Sequence, residues 1–170
     1  MAMKQKKHHL ELMAPRTTPR GSQKGKGGIV FCATCNAVYY KKSWHHNLRY
    51  YKNLHEDLGV SFALCPACTA IKNNEFEGRI TISNVPKNIA EHLANLVHAF
   101  THRAYQKDPM DRLIAMKKTN VGMEITTTEN QLAVRLAKKI EEVFKGSTAR
   151  ITYARSSRDK AVDIRLEFRA

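Results

Sequence analysis

The clearest hydrophobic patterning lies in residues 76–170. Arg79-Ile80-Thr81-Ile82-Ser83 alternates polar and apolar side chains, the period of a half-buried strand. Pro86 predicts the start of a helix whose apolar positions, Ile89, Leu93, Leu96, Val97, Phe100 and Ala104, recur at spacings of three and four. Asp108-Pro109 ends it. Residues 112–116 and 121–126 predict two short strands with a turn near Thr119-Asn120. Thr128-Glu129-Asn130-Gln131 then matches the T-x-x-Q capping box. Behind it, Leu132, Leu136, Ile140 and Val143/Phe144 share one helical face, and Gly146 supplies the stop. Residues 149–154 and 161–168 predict a hairpin around Ser156-Ser157-Arg158-Asp159. The order β-α-β-β-α-β-β is that of a split-βαβ, ferredoxin-like sandwich with one extra strand, which builds a core without metal.

Upstream the pattern changes. Residues 28–75 contain all four cysteines, the single Trp and four of the 6 tyrosines. Residues 1–27 are Gly, Pro, Lys, Thr and Ser with almost no apolar period, and read as a flexible arm. The predicted class is therefore α+β in three parts: a basic arm (1–27), a four-cysteine zinc ribbon with an aromatic/basic insertion (28–75), and a ferredoxin-like domain (76–170). No solenoid repeat is present.

Composition sharpens this. The chain has 170 residues, 42% hydrophobic and 26% charged, which argues against wholesale disorder. No apolar run approaches the roughly 18–20 residues that span a bilayer, and the N-terminal positive charges have no apolar stretch behind them. A cytoplasmic protein with no membrane contact is expected. The net charge of +14 attracts polyanions, for which nucleic acid is the usual partner. The arm concentrates it: Lys4, Lys6, Lys7, Arg16, Arg20, Lys24 and Lys26 face one acid, Glu11. These seven are candidate phosphate contacts, whereas the cations of residues 76–170 read as a solvated surface.

The strongest chemical signal is Cys32-Ala33-Thr34-Cys35 and Cys65-Pro66-Ala67-Cys68, two C-x-x-C pairs with 29 residues between them. Each knuckle offers two thiolates from one tight turn, and two knuckles on opposed hairpins close a tetrahedron around zinc. Fewer than about 50 residues surround them, too few for a self-sufficient core, so a metal supplies the deficit. One structural Zn2+ with no open catalytic position is expected. An iron–sulfur cluster takes the same four thiolates, and spacing does not separate the two. Disulfides need an oxidising compartment, and a thioredoxin-type motif comes without a second matching pair. His45 and His46 lie between the knuckles, but four cysteines already satisfy one ion.

Between the knuckles, aromatics interleave with cations: Tyr39, Tyr40, Lys41, Lys42, Trp44, Arg49, Tyr50, Tyr51 and Lys52. Such a surface stacks bases while its cations hold phosphates. The competing reading puts Trp44 and two tyrosines in a small core beside the metal, and a ribbon can do both. Enzyme signatures fail. Gly21 to Gly27 is one residue short of a phosphate loop and lacks its Ser/Thr. The acids form no paired constellation, and Cys65-Pro66-Ala67-Cys68 lacks the H-x-E half of a zinc deaminase. No small-molecule substrate is expected.

The order of motifs is also informative. The arm precedes G-I-V-F-C-A-T-C (residues 28–35) and L-C-P-A-C (64–68), followed by E-G-R-I-T-I (77–82), D-P-M-D-R-L-I-A-M (108–116) and G-M-E-I-T-T-T (122–128). This resembles the small bacterial zinc-ribbon proteins related to the archaeal and eukaryotic nuclear-export adaptor of the large ribosomal subunit. The resemblance spares the arm. It implies a non-enzymatic protein bound to ribosomes or ribosomal RNA, with contacts to ribosomal proteins, and with Cys32, Cys35, Cys65 and Cys68 on zinc. Assembly, quality control and dormancy of ribosomes fit it equally. The chain has one metal constellation where the large adaptor has several. The rival expectation is a zinc-ribbon DNA-binding regulator or a protein-interaction adaptor, against which stands the lack of an obvious recognition helix after either knuckle.

Overall fold

The computed structural model of the chain describes residues 28–49, 59–120, 122–153 and 161–169. The arm cations Lys4, Lys6, Lys7, Arg16, Arg20, Lys24 and Lys26, the insertion residues Tyr50, Tyr51 and Lys52, and the turn at 156–159 lie outside the described residues.

The fold is mixed α+β, with two sheets and three helices among the described residues. The first sheet is built from β1 (Ile29–Cys32), β2 (Val38–Tyr40), β3 (Ser43–His45) and β4 (Val60–Ala63), in the order β3-β2-β1-β4. β1, β2 and β3 form an antiparallel meander, while β4 pairs with β1 in parallel, Cys32 opposite Ala63. Parallel pairing brings the two strands' C-terminal ends side by side, and both cysteine knuckles follow those ends. The expected pair of opposed hairpins is thus not what forms. Cys65-Pro66-Ala67-Cys68 opens a helix instead, α1 (Pro66–Asn73), with Pro66 in its first turn, where a missing N–H costs nothing. Asn74, left-handed at φ 54°, ends it.

The second sheet follows as β5 (Gly78–Ser83), β6 (Leu113–Thr119), β7 (Gly122–Thr127), β8 (Ser147–Tyr153) and β9 (Val162–Phe168), with α2 (Ala90–Lys107) and α3 (Asn130–Val143) between them in sequence. α3 lies across β5, β7, β8 and β9 with α2 beside it. Strict alternation in β5 and β9 sends Ile80, Ile82, Val162, Ile164 and Leu166 under these helices, where they meet Leu93, Val97, Ala133, Leu136 and Ile140. Each is almost wholly buried, a gain of about 1.5–3 kcal/mol per large side chain. Gly78 is required by this packing: a β-carbon there would collide with Thr127 Oγ1 and with Cβ of Ala133 on α3.

The strand order is β6-β7-β5-β9-β8. In a plain split-βαβ sandwich the strand after the second helix returns beside the first strand. Here β9 takes that place, parallel to β5, and β8 lies outside it at the edge. The extra strand is therefore inserted into the sheet, and β7-α3-β8 crosses over two strands.

Two local expectations also change. Pro86 opens a turn, with Ile89 N–H bonded to Pro86 O, and α2 begins at Ala90. The capping box does not form: Glu129 occupies the cap position of α3, and no side chain there caps the helix's first N–H groups. Thr128 Oγ1 instead donates to Met110 O at 2.6 Å and accepts from Arg112 N–H at 2.8 Å, fastening the loop before β6. No described helix is long and apolar enough to cross a membrane.

Candidate metal centre

Four sulfurs converge where β1 and β4 end. The Sγ atoms of Cys32, Cys35, Cys65 and Cys68 all lie within 4.8 Å of one another. Cys35 and Cys65, one from each knuckle, are 3.7 Å apart. A tetrahedron with metal–sulfur bonds of about 2.3 Å has edges of about 3.8 Å, so this spacing fits one ion held by four thiolates. It is far too long for a disulfide. A polynuclear iron–sulfur cluster spreads thiolates over several irons, wider than a single tetrahedron, and fits the compact set less well.

The backbone prepares the site for negative charge. Cys65 N–H donates to Cys32 Sγ at 3.3 Å, and Cys68 N–H donates to Cys65 Sγ at 3.4 Å. Cys65 is thereby the cap residue of α1, its sulfur at the positive end of the helix. Burial opposes ionisation of Cys32, yet N–H groups of Cys35, Cys65 and Thr34 outweigh it and bring the thiol down to about 6. At Cys65 burial prevails and pushes the thiol up to about 11. Cys68 is raised further by burial and by its cysteine neighbours. One thiolate forms readily, while further ionisation this close needs a cation. A divalent ion supplies it.

The same sulfurs are the interior of this half. Its buried cluster is Cys32, Ala37, Cys65, Ala67 and Cys68, with Trp44, Leu64 and Met110 half-buried against it. Apart from sulfur it holds two alanines and three partly covered side chains, so a metal held by the four thiolates would supply much of the ribbon's cohesion, as for other small metal-dependent folds.

The histidines stand aside. His46 Nε2 hydrogen-bonds Tyr105 O on α2, and the two rings meet edge to face at 4.8 Å. His45 Nε2 lies 3.2 Å from Tyr40 O. His46, Tyr105 and Met110 join the ribbon to the α+β domain, a seam no sequence pattern announced.

Among the aromatic and basic candidates, Tyr39 and Trp44 face each other across β2 and β3 with ring centroids 5.4 Å apart. Trp44 also touches the cysteine cluster, so it does join the small core. Tyr40 is half-buried, with Lys41 Nζ 5.5 Å from its ring centre. Lys41 and Lys42 form the exposed tip of the β2–β3 hairpin, and Arg49 is exposed just beyond Asn47. The structure thus gathers Tyr39, Tyr40, Lys41, Lys42 and Trp44 on one hairpin beside the four sulfurs.

No protein-family model and no curated protein matches this chain.

Proposed function

We propose that this protein is a zinc-binding, non-enzymatic factor that binds ribosomal RNA and acts on the ribosome. The hairpin tip carries the RNA part of this reading. Lys41 and Lys42 both have positive φ, 48° and 66°. A two-residue turn of this kind favours Asn-Gly, and each bulkier residue in the left-handed region costs about 1–2 kcal/mol. The chain tolerates that cost and keeps two exposed cations at the end of a ribbon whose base is aromatic. Phosphates suit the tip, and bases suit the partly exposed Tyr39 and Trp44 rings. The arm's seven cations add a sequence-independent grip, and the motif order supports the ribosome as the place where it acts. Zinc is the natural ion for four thiolates, and four protein ligands leave it structural.

Duplex DNA is the rival polyanion. α1 follows the second knuckle, contrary to the expectation of no such helix, but carries a single cation, Lys72, too few for a major-groove reader. Competition between ribosomal RNA and duplex DNA at equal phosphate concentration separates the readings. Ribosomal RNA is expected to win, with a log–log salt slope of roughly −5 if the arm's seven cations engage. A preference for duplex DNA would overturn the proposal, and a slope near −1 would remove the arm from it.

A further inference from the structure

The five-stranded sheet has helices on one face. The other is polar, and across its centre the register places side chains in a row: Lys117, Glu124, Thr81, Arg165 and Arg150, from β6, β7, β5, β9 and β8. Arg150 and Arg165 are direct cross-strand partners, both exposed. Like charges directly opposite each other are destabilising, and an acid at either position would be the stable choice.

Two acids share the depression around this pair, and each faces another cation first. Asp163, two residues before Arg165 on the same face, accepts from Arg79 Nε at 2.6 Å. Glu124 lies two strands from Arg165, roughly 9–10 Å in strand spacings, with Lys117 opposite it. Neither Arg150 nor Arg165 has an ion pair among the described residues. Arg79, Thr81, Glu124, Thr152 and Asp163 line the same depression as the pair. Its three guanidiniums outnumber its two carboxylates, one of which is already bonded to Arg79, and this excess of cations beside two hydroxyls suits an oxyanion.

We propose that Arg150 and Arg165, with Thr81 and Thr152, form a phosphate-binding site on the open face of this sheet, and that the phosphate is an RNA phosphodiester. The face has no aromatic side chain at the outward positions of its register, so it holds backbone and does not stack bases. The site stands on its own geometry; only the carrier of the phosphate rests on the RNA reading above. It departs from the expectation that the cations of residues 76–170 merely solvate the fold. The predicted hairpin puts Arg150 and Arg165 on neighbouring strands, and the β8–β9 register sets them directly opposite each other.

Inorganic tripolyphosphate titrated into the full-length protein tests the site, read by NMR at the arginine Nε–H groups. Saturable shifts at Arg150 and Arg165 are expected, and Arg150→Glu should abolish the shift at Arg165. No shift at either arginine overturns the site. A single-stranded RNA oligonucleotide then tests the carrier. Arg150→Glu and Arg165→Gln should each weaken binding about 3–10-fold and flatten the log–log salt slope by about 0.7. Arg150→Glu should also raise the melting temperature, because it sets opposite charges across the pair, so lost binding cannot be lost folding. Unchanged RNA affinity and slope in both variants, with a wild type that binds RNA, overturns the RNA assignment. A wild type that binds no RNA overturns the carrier together with the function proposed above, and the tripolyphosphate shift still decides the site.

Discussion

Replacing one metal ligand should dismantle the ribbon and leave the α+β domain standing, and Cys65→Ser is the sharpest choice. Cys65 is wholly buried, bonds Cys68 N–H through its sulfur and caps α1. A structural four-thiolate site contributes roughly 10–16 kcal/mol, so one ligand's share is about 3–4 kcal/mol. That raises the open population of the ribbon by roughly 100–1000-fold. Little else beside the sulfurs resists: Ala37 and Ala67 are small, Trp44 and Leu64 are only half-buried, and Ile29 and Val38 are the large buried side chains of its sheet among the described residues. The α+β domain has its own core of Ile80, Ile82, Leu93, Leu132, Leu136, Ile140, Ile164 and Leu166. Two probes separate the halves. Trp44 is the single tryptophan and touches the sulfur cluster, while α2 and α3 supply most of the helical circular dichroism. In Cys65→Ser the fluorescence should shift to the red at ambient temperature while the helical signal still melts cooperatively. Chelation of the wild type should reproduce this. A variant with native Trp44 emission and one unaltered transition would refute the claim that metal holds the ribbon together.

Metal uptake should release protons. Burial holds Cys65 near 11 and raises Cys68, so both are protonated at pH 8 without metal, whereas Cys32, near 6, is already ionised. Calorimetry in buffers of different ionisation enthalpy should show at least about two protons released per ion at pH 8. Affinity should fall as pH falls, because protons compete for the same sulfurs, and uptake without proton release would contradict these environments. Gly78→Ala should cost about 1–3 kcal/mol in denaturant unfolding, since the added methyl meets Thr127 and Ala133. The double change Lys41→Asn with Lys42→Gly should raise the ribbon's stability, by about 1 kcal/mol or more, while flattening the RNA salt slope by about 1.4. If stability and RNA binding rise together, the hairpin tip is not a phosphate contact.

What could be read in the sequence divides along physical lines. Local periodicity placed β5, β7, α3 and β9 within a residue or two, because those elements bury one face against one core. C-x-x-C spacing identified the four sulfurs because knuckle geometry is local. Pairing between distant strands was not legible: nothing in Ile29–Cys32 or Val60–Ala63 says that they run parallel, and nothing in the final hairpin says that β9 lies inside β8. α1 was missed because eight residues beginning at a cysteine cap carry little helical period. The capping box failed for a tertiary reason, since Thr128 is occupied by Met110 and Arg112. The seam of His46 on Tyr105, with Arg112 at 4.4 Å from the same ring, joins residues too distant in sequence for any motif.

The central claim, that this protein acts on ribosomes through RNA, is met most directly by gradient sedimentation of the native protein from its own cells, at low and high salt. Migration with a ribosomal subunit at low salt, lost at high salt, is the expected result and would name the particle to image. A protein that stays at the top of the gradient in both conditions would contradict the claim, and DNA or a protein partner would become the next search.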